Sequence, residues 1–244
     1  AQESRGLGDV YKRQVLKAGE SFGTRFSNRV IVISTVIADI LANKYGRKDT
    51  DLIYNGVNRP VKSQSRSWLE KWGVADKPYI VAIGRFVKEK GFHDLIEAYK
   101  KSGLEDRYRL VIAGDTDHED DYSRSLKHQA REAGVVLTGF IKGEPLNQLM
   151  SNASLFVMPS YHEGLPIALL EAMSYDLDVV VSDIPANRLQ ILGKDDFFHV
   201  GDTDALAAAI TRKIAAAKTP RTYDLTAYDW DKIADQTIKV YESM

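Results

Sequence analysis

Between Lys77 and about Ala217, short runs of β-branched and aliphatic residues alternate with segments whose apolar residues recur at helical spacing. Tyr79-Ile80-Val81-Ala82-Ile83 and Arg109-Leu110-Val111-Ile112-Ala113 are two such runs, and Leu155-Phe156-Val157-Met158 and Asp178-Val179-Val180-Val181-Ser182 are two more. Helical faces lie between and after them: Leu95, Ile96 and Tyr99 in 92–101, and Leu206, Ile210 and Ile214 after Asp202. Near-continuous apolar runs separated by helices are what a parallel sheet covered on both faces requires. The pattern therefore predicts an α/β domain, a Rossmann-like doubly wound parallel sheet, across residues 77–227.

In such a sheet ligands sit outside the carboxyl ends of the strands, which directs attention to the loops that follow them. After 155–158 comes Glu163-Gly164-Leu165-Pro166-Ile167-Ala168-Leu169-Leu170-Glu171, with two carboxylates eight positions apart in a segment otherwise almost free of polar side chains. Gly164 permits a tight turn and Pro166 suits the first position of a helix, so free N–H groups at its start would attract an anion. Glu171 then falls inside that helix among Leu169, Leu170, Ala172 and Met173, where a buried carboxylate needs a partner. Taken alone, the two acids also fit a loop position and the solvated stripe of a helix. After 79–83, Gly84 frees the backbone, Arg85 can grip a phosphate through two parallel hydrogen bonds, and Lys90 adds a point-like cation. His162 has no recognisable partner and is read as structural.

These segments, in this order, resemble the family-4 retaining glycosyltransferases of the GT-B fold. The acidic segment is close to that family's E-G-x-x-x-x-x-x-E-A-M-A-x-G-x-P-V-V pattern. Gly84-Arg85 with Lys90-Gly91 resembles its G-R and K-G loop, and Arg109 to Asp115, Val136-Leu137-Thr138-Gly139-Phe140 and Gly201 to Leu206 resemble its following segments. The likeness runs from about Val15 to the C-terminus. Three departures stand out: Asp176 occupies the place of the usual glycine, Asp178 that of the proline, and an acidic run, Asp115 to Asp121, replaces small residues.

The resemblance implies transfer of a sugar from a nucleotide diphosphate to an acceptor hydroxyl with retention. Arg85 and Lys90 would hold the diphosphate, and Glu163 would position the sugar through its hydroxyls. Glu171 would hold the ribose, and Gly84, Gly164 and Leu165 would frame the phosphates. The segment Thr138, Gly139, Phe140 and Ile141 would lie against the base. It implies no cofactor and no metal; the Asp-x-Asp spacings at 115/117, 176/178 and 202/204 are three matches in an acid-rich chain and carry little. A nucleotide sugar and a glycan or lipid-linked acceptor are the implied partners. Two other readings stay open, a nucleotide-sugar-binding module without catalysis and an epimerase-like enzyme of the same fold.

Composition narrows the setting. A net charge of −1 gives no electrostatic pull toward nucleic acid, and the lack of cysteine removes disulfides and thiolate metal sites. The lack of cysteine leans toward a reducing compartment, so a cytoplasmic enzyme is expected; no apolar run approaches the roughly 20 residues of a membrane-spanning helix, and peripheral attachment to the membrane's inner face is left open by the lipid-linked acceptors.

Residues 1–14 show neither helical nor strand period, and 6–14 resemble translated sequencing-adapter read-through, so a non-native or disordered leader is expected. Residues 15–60 read as a remnant of an acceptor-side N-terminal domain, with a buried strand at Val30-Ile31-Val32-Ile33-Ser34 and a helix facing inward through Ile37, Ile40, Leu41 and Tyr45. A linker is expected over 61–76. A final helix at 228–244 is expected to pack back on the remnant through Trp230, Ile233, Ile238 and Tyr241. A chain holding the donor half and a remnant of the other would bind donor, transfer little, and expose apolar surface that favours dimers.

Overall fold

The structure, a computed structural model, describes residues 2–216 and 221–244 and falls into two compact units, 1–56 with 230–244, and 57–229. The expected end of the strand-helix alternation near Ala217 lies outside the described residues.

The first unit contains α1 (Gln2–Phe26), β1 (Ile31–Val32), α2 (Thr35–Tyr45) and β2 (Asp51–Leu52), with the C-terminal helix Trp230–Glu242. β1 and β2 pair in parallel. The helix from Gln2 corrects the expectation of an irregular leader. No proline lies in this stretch, and Gly6 and Gly8 lower helix propensity without breaking the ladder, so nothing stops the helix of 15–26 from extending backward. Ser34 caps α2 by accepting from Ile37 N–H, and Gly46, at φ 71°, ends it. Within α2 only Leu41 is buried; Ile40 is 40% exposed, and Val32 rather than Ile31 is the buried residue of β1. In the C-terminal helix Ile233 and Val240 cluster with Ile53. Seven residues apart, these two share one face, whereas Ile238 and Tyr241 rotate off it and are exposed, as is Trp230.

The second unit adds α3 (Ser67–Lys71), β3 (Tyr79–Ile83), α4 (Phe92–Ser102), β4 (Arg109–Ala113), α5 (Asp121–Glu132), β5 (Val136–Gly139), α6 (Glu144–Ser151), β6 (Leu155–Met158), α7 (Ile167–Ser174), β7 (Val179–Ser182), β8 (Phe197–Phe198) and α8 (Thr203–Ala215). Segment 61–76, expected as a linker, belongs to this unit: Leu69 and Val74 are fully buried, and Trp68 N–H donates to Gln148 Oε1 of α6. The polar composition that suggested a linker reflects one solvated side of a packed segment.

All six strands run parallel in the order β5-β4-β3-β6-β7-β8. Counted within the sheet this is the doubly wound order 3-2-1-4-5-6. Alternate residues of β3 serve opposite faces. Ile80 and Ala82 join the cluster with Leu95, Ile96, Leu126, Leu206 and Ile210 from α4, α5 and α8. Tyr79 turns the other way, and its hydroxyl donates to Leu149 O of α6 at 2.7 Å.

Asp176 is the described non-glycine residue with a positive φ, 56°. It keeps the left-handed turn that the resemblance assigns to glycine, as short polar side chains tolerate. Lys62 pairs with its carboxylate at 2.9 Å. Asp178 and the buried Asp196 share Lys213 and Arg221 at 2.6–2.8 Å, tying the amino ends of β7 and β8 to α8 and to the segment at 221.

Two measurements check these tie points. Burial pushes the Asp196 carboxyl up, but Arg221, Lys213 and the Gly193 N–H outweigh it and hold the pKa below the usual range. Its contribution to stability is therefore full above the unfolded value, near 3.9, and is lost as pH falls through the folded one. Urea denaturation should find Asp196→Asn less stable by about 3 kcal/mol at pH 7, with the gap closing below about pH 4. A gap independent of pH would count against the ion cluster. Gly114, at φ 142°, has the Gly84 carbonyl oxygen 1.8 Å from where a Cβ would stand, while Gly134, at φ 64°, has nothing within 4 Å. Gly134→Ala should cost about 1–2 kcal/mol, and Gly114→Ala clearly more, because backbone must move. Equal losses would show that the β3 and β4 ends are not so tightly apposed.

Candidate functional site

The strand order reverses between β3 and β6, and the loops leaving their carboxyl ends meet there. Gly91, at φ 66°, has the Pro159 carbonyl oxygen 2.3 Å from where a Cβ would stand, so the two backbones touch without room for a side chain. Tyr161 N–H donates to Glu89 O at 2.8 Å, a second tie between the same loops. A second hydrogen bond anchors Tyr161 to α4, its hydroxyl donating to Asp94 Oδ2 at 2.6 Å, and that carboxylate pushes the phenol up to about 12. His93 stacks on the same ring, 8° from parallel.

This apposition delivers Lys90 and Glu163 to each other. Nζ lies 2.6 Å from Oε1, with the side chains 23% and 10% exposed. Ser160 Oγ donates to the same oxygen at 2.7 Å. Gly84 stands beside the lysine: a Cβ there would lie 3.5 Å from Lys90 Cδ.

α7 begins just beyond. Pro166 is its N-cap residue rather than its first helical one, and the helix opens at Ile167 without a side-chain cap. The N–H groups of Gly164 and Leu165 donate to no acceptor among the described residues. Glu171 lies more than a turn into α7, and burial alone pushes its carboxyl up. The partner that the sequence demanded for this acid is not supplied by any described residue. A carboxylate with raised pKa and open lone pairs is ready to accept from hydroxyl groups of a ligand.

Arg85 takes a different position. Its guanidinium is two-thirds exposed and pairs with Asp117 at 3.3 Å, in a cleft of 300 Å³ lined by Gly84, Asp115, Thr116, Phe140 and Ile141. Phe140, 78% exposed, is a rim residue and no part of the core. Gly139 borders a neighbouring cleft of 390 Å³ with Phe86, Lys127 and Leu137, and Thr138 turns its hydroxyl onto the Gly139 carbonyl. The structure thus joins Gly84, Lys90 and Glu163, and joins Arg85, Phe140 and Ile141 in one cleft wall; Thr138 lines neither cleft. His162 is exposed.

Sequence reasoning missed Ser160, Tyr161, Asp94 and Asp117. Ser160 lies three residues before Glu163, a spacing that could have marked it as a donor to that acid. The Asp94–Tyr161 bond spans 67 positions, and no local pattern announces it. Of the Asp-x-Asp pairs, 115/117 borders the cleft, 176/178 lies at the amino ends of the strands, and Asp202 caps α8. Among the described residues no group of three acidic or histidine side chains could hold a metal ion, and no helix is long and apolar enough to cross a membrane.

Comparison with known proteins places the chain in a family. An uncharacterized glycosyltransferase of Methanocaldococcus jannaschii is 28% identical over 94% of this chain and 63% of its own length. The O-antigen chain mannosyltransferase B of Escherichia coli is 30% identical over 71% of this chain and 48% of its own. The chain therefore spans about half to two thirds of the length of these relatives. Among solved structures, Anabaena Alr3699/HepE in complex with UDP-glucose superposes with a TM-score of 0.81 at 22% identity, covering 97% of this chain and 70% of that one, a likeness of fold. The model of the family described as Glycosyl transferases group 1 matches residues 64–230, which is more than half of the chain. The protein belongs to the group 1 glycosyl transferases, with the α/β, GT-B type of fold that its motifs led one to expect.

Proposed function

We propose that the second unit binds a nucleotide-diphosphate sugar and that the whole protein transfers the sugar to an acceptor hydroxyl with retention at the anomeric carbon. The observation that carries this reading is the meeting of a cation and a fixed carboxylate at the switch point of the sheet, with free backbone N–H groups and an unpartnered carboxylate following in the same loop and helix. Each answers one part of such a donor. Lys90, with Arg85 swinging from Asp117, meets the diphosphate; Gly164 and Leu165 add N–H donors. Glu163 accepts from the sugar hydroxyls and Glu171 from the ribose, while Phe140 and Ile141 offer the base an apolar rim, with Thr138 and Gly139 behind them.

The chemistry follows from where charge develops. As the glycosidic bond to phosphate breaks, negative charge grows on the departing diphosphate and positive charge on the ring. Lys90, Arg85 and the N–H groups are aimed at the first and act without reorganising water. Positive charge from the protein itself makes a divalent cation unnecessary in this scheme. The Escherichia coli relative, named a mannosyltransferase, and the UDP-glucose of the Anabaena structure support a hexose donor on a nucleoside diphosphate. The acceptor is read as a glycan or a lipid-linked sugar.

Titration calorimetry with UDP, GDP, UDP-glucose and GDP-mannose tests the reading. One diphosphate series should bind equally well with and without a chelator; binding abolished by the chelator would refute the metal-free scheme. Lys90→Ala should weaken the diphosphate by about 1.5–3 kcal/mol, and Arg85→Ala by the lower end of that range because its side chain is exposed and must be ordered. Glu171→Gln should weaken nucleosides and nucleotides alike, and an effect confined to phosphate affinity would remove the ribose assignment.

A further inference from the structure

Glu163 stands at the end of a buried polar chain. Asn187 Nδ2 donates to the carbonyl and to Oγ of Ser182, at 3.0 and 3.2 Å, and Ser182 Oγ donates to the Ser160 carbonyl at 2.5 Å. Ser160 Oγ in turn donates to Glu163 Oε1 at 2.7 Å. Asn187, Ser182 and Ser160 have no exposed surface at all. Burying three polar side chains in series is costly unless each is bonded; each link here is bonded to the next, and Asn187 Oδ1 alone in the series lacks a partner among the described residues. The chain crosses from the loop after β7 to the loop after β6 and terminates on one carboxylate oxygen. Oε2 of Glu163 accepts from no donor among the described residues.

We propose that Ser160, backed by Ser182 and Asn187, is a positioning residue that holds Glu163 with Oε2 turned to the ligand. The proposal rests on the reading that Glu163 receives hydroxyls of the transferred sugar. Lys90 also holds Oε1, but a bound diphosphate draws that cation away. Ser160 carries no charge for the phosphate to attract, and its backbone is held in place by Ser182. It is therefore the protein donor that keeps the carboxylate in place once donor is bound, and it acts on the sugar end of the ligand alone.

The test is a double-mutant comparison on the full chain, using Ser160→Ala, Glu163→Gln and the two together. UDP, GDP, UDP-glucose and GDP-mannose are titrated, with thermal melting as the control for folding. Ser160→Ala should weaken the nucleotide sugar about tenfold while leaving the matching nucleoside diphosphate within about twofold, the difference expected for one hydrogen bond to a charged group. In the Glu163→Gln background the same substitution should add no further loss. Ser182→Ala should give the same selective pattern with a smaller amplitude, and it serves if Ser160→Ala melts early. Equal losses for both ligand classes, or an undiminished loss without the Glu163 carboxylate, would overturn the positioning role. A wild-type chain that binds none of the four would overturn the donor-site reading itself and the role with it.

Discussion

Lys90 and Glu163 are 73 positions apart in the chain, and their contact depends on two loops whose backbones touch at Gly91 and Pro159. Everything at the carboxyl end of the sheet is arranged around that touch. It requires a glycine in a left-handed conformation at the start of α4 and a β6 that ends level with β3. It also requires Tyr161 to be tied down on both its N–H and its hydroxyl. The ion pair is a poor source of stability in itself, since two partly buried charges lose hydration that their attraction only roughly offsets. Its value is positional: each charge is held by its opposite in the place where a ligand of mixed charge would divide them.

The same logic separates the two cations. Lys90 is enclosed, paired at 2.6 Å and braced beside Gly84, whereas Arg85 is exposed and, among the described residues, held only by an equally exposed Asp117. An exposed pair of this kind is worth under about 1 kcal/mol and yields easily to a better anion. One cation is thus fixed in place and the other loosely tethered. The acidic run from Asp115 to Asp121, a departure from the family pattern, supplies Arg85 with its resting partner; within it Asp115 and Glu119 hold Lys127, and Asp120 caps α5.

Much of the sheet was legible because parallel strands buried on both faces read as unbroken apolar runs; Tyr79 to Ile83 and Val179 to Ser182 need no partner to be recognised. The helices that cover them were legible for the complementary reason, a face repeating at helical spacing, as with Leu206 and Ile210. Where apolar residues are sparse the signal fails. The helix from Gln2 carries glycines and few apolar side chains, and the segment 61–76 hides Leu69 and Val74 among polar neighbours, so each was misread. In the site, the sequence supplied the residue types and their loops, but not which side chains meet: the Ser160 bond is local and could have been anticipated, while the Asp94 to Tyr161 bond depends wholly on the sheet order.

Position 176 shows how motif and geometry can part. The resemblance places glycine there, a residue that suits a left-handed turn, and before β7 this chain makes such a turn with an aspartate in it. An aspartate in that conformation costs roughly 1–2 kcal/mol relative to glycine. Its carboxylate gives something back by pairing with Lys62, and Arg59 stands 3.9 Å away, so the side chain joins the segment near residue 60 to the end of α7. Asp178, where proline is usual, does likewise: it caps its own strand through the Val179 N–H and draws Lys213 and Arg221 onto β7. Both departures exchange a locally favourable backbone residue for long-range ion pairs at the amino end of the sheet, away from the loops at its carboxyl end. The ion pairs of Asp176 and Asp178 thus form at the opposite end of the sheet from the contact between Lys90 and Glu163.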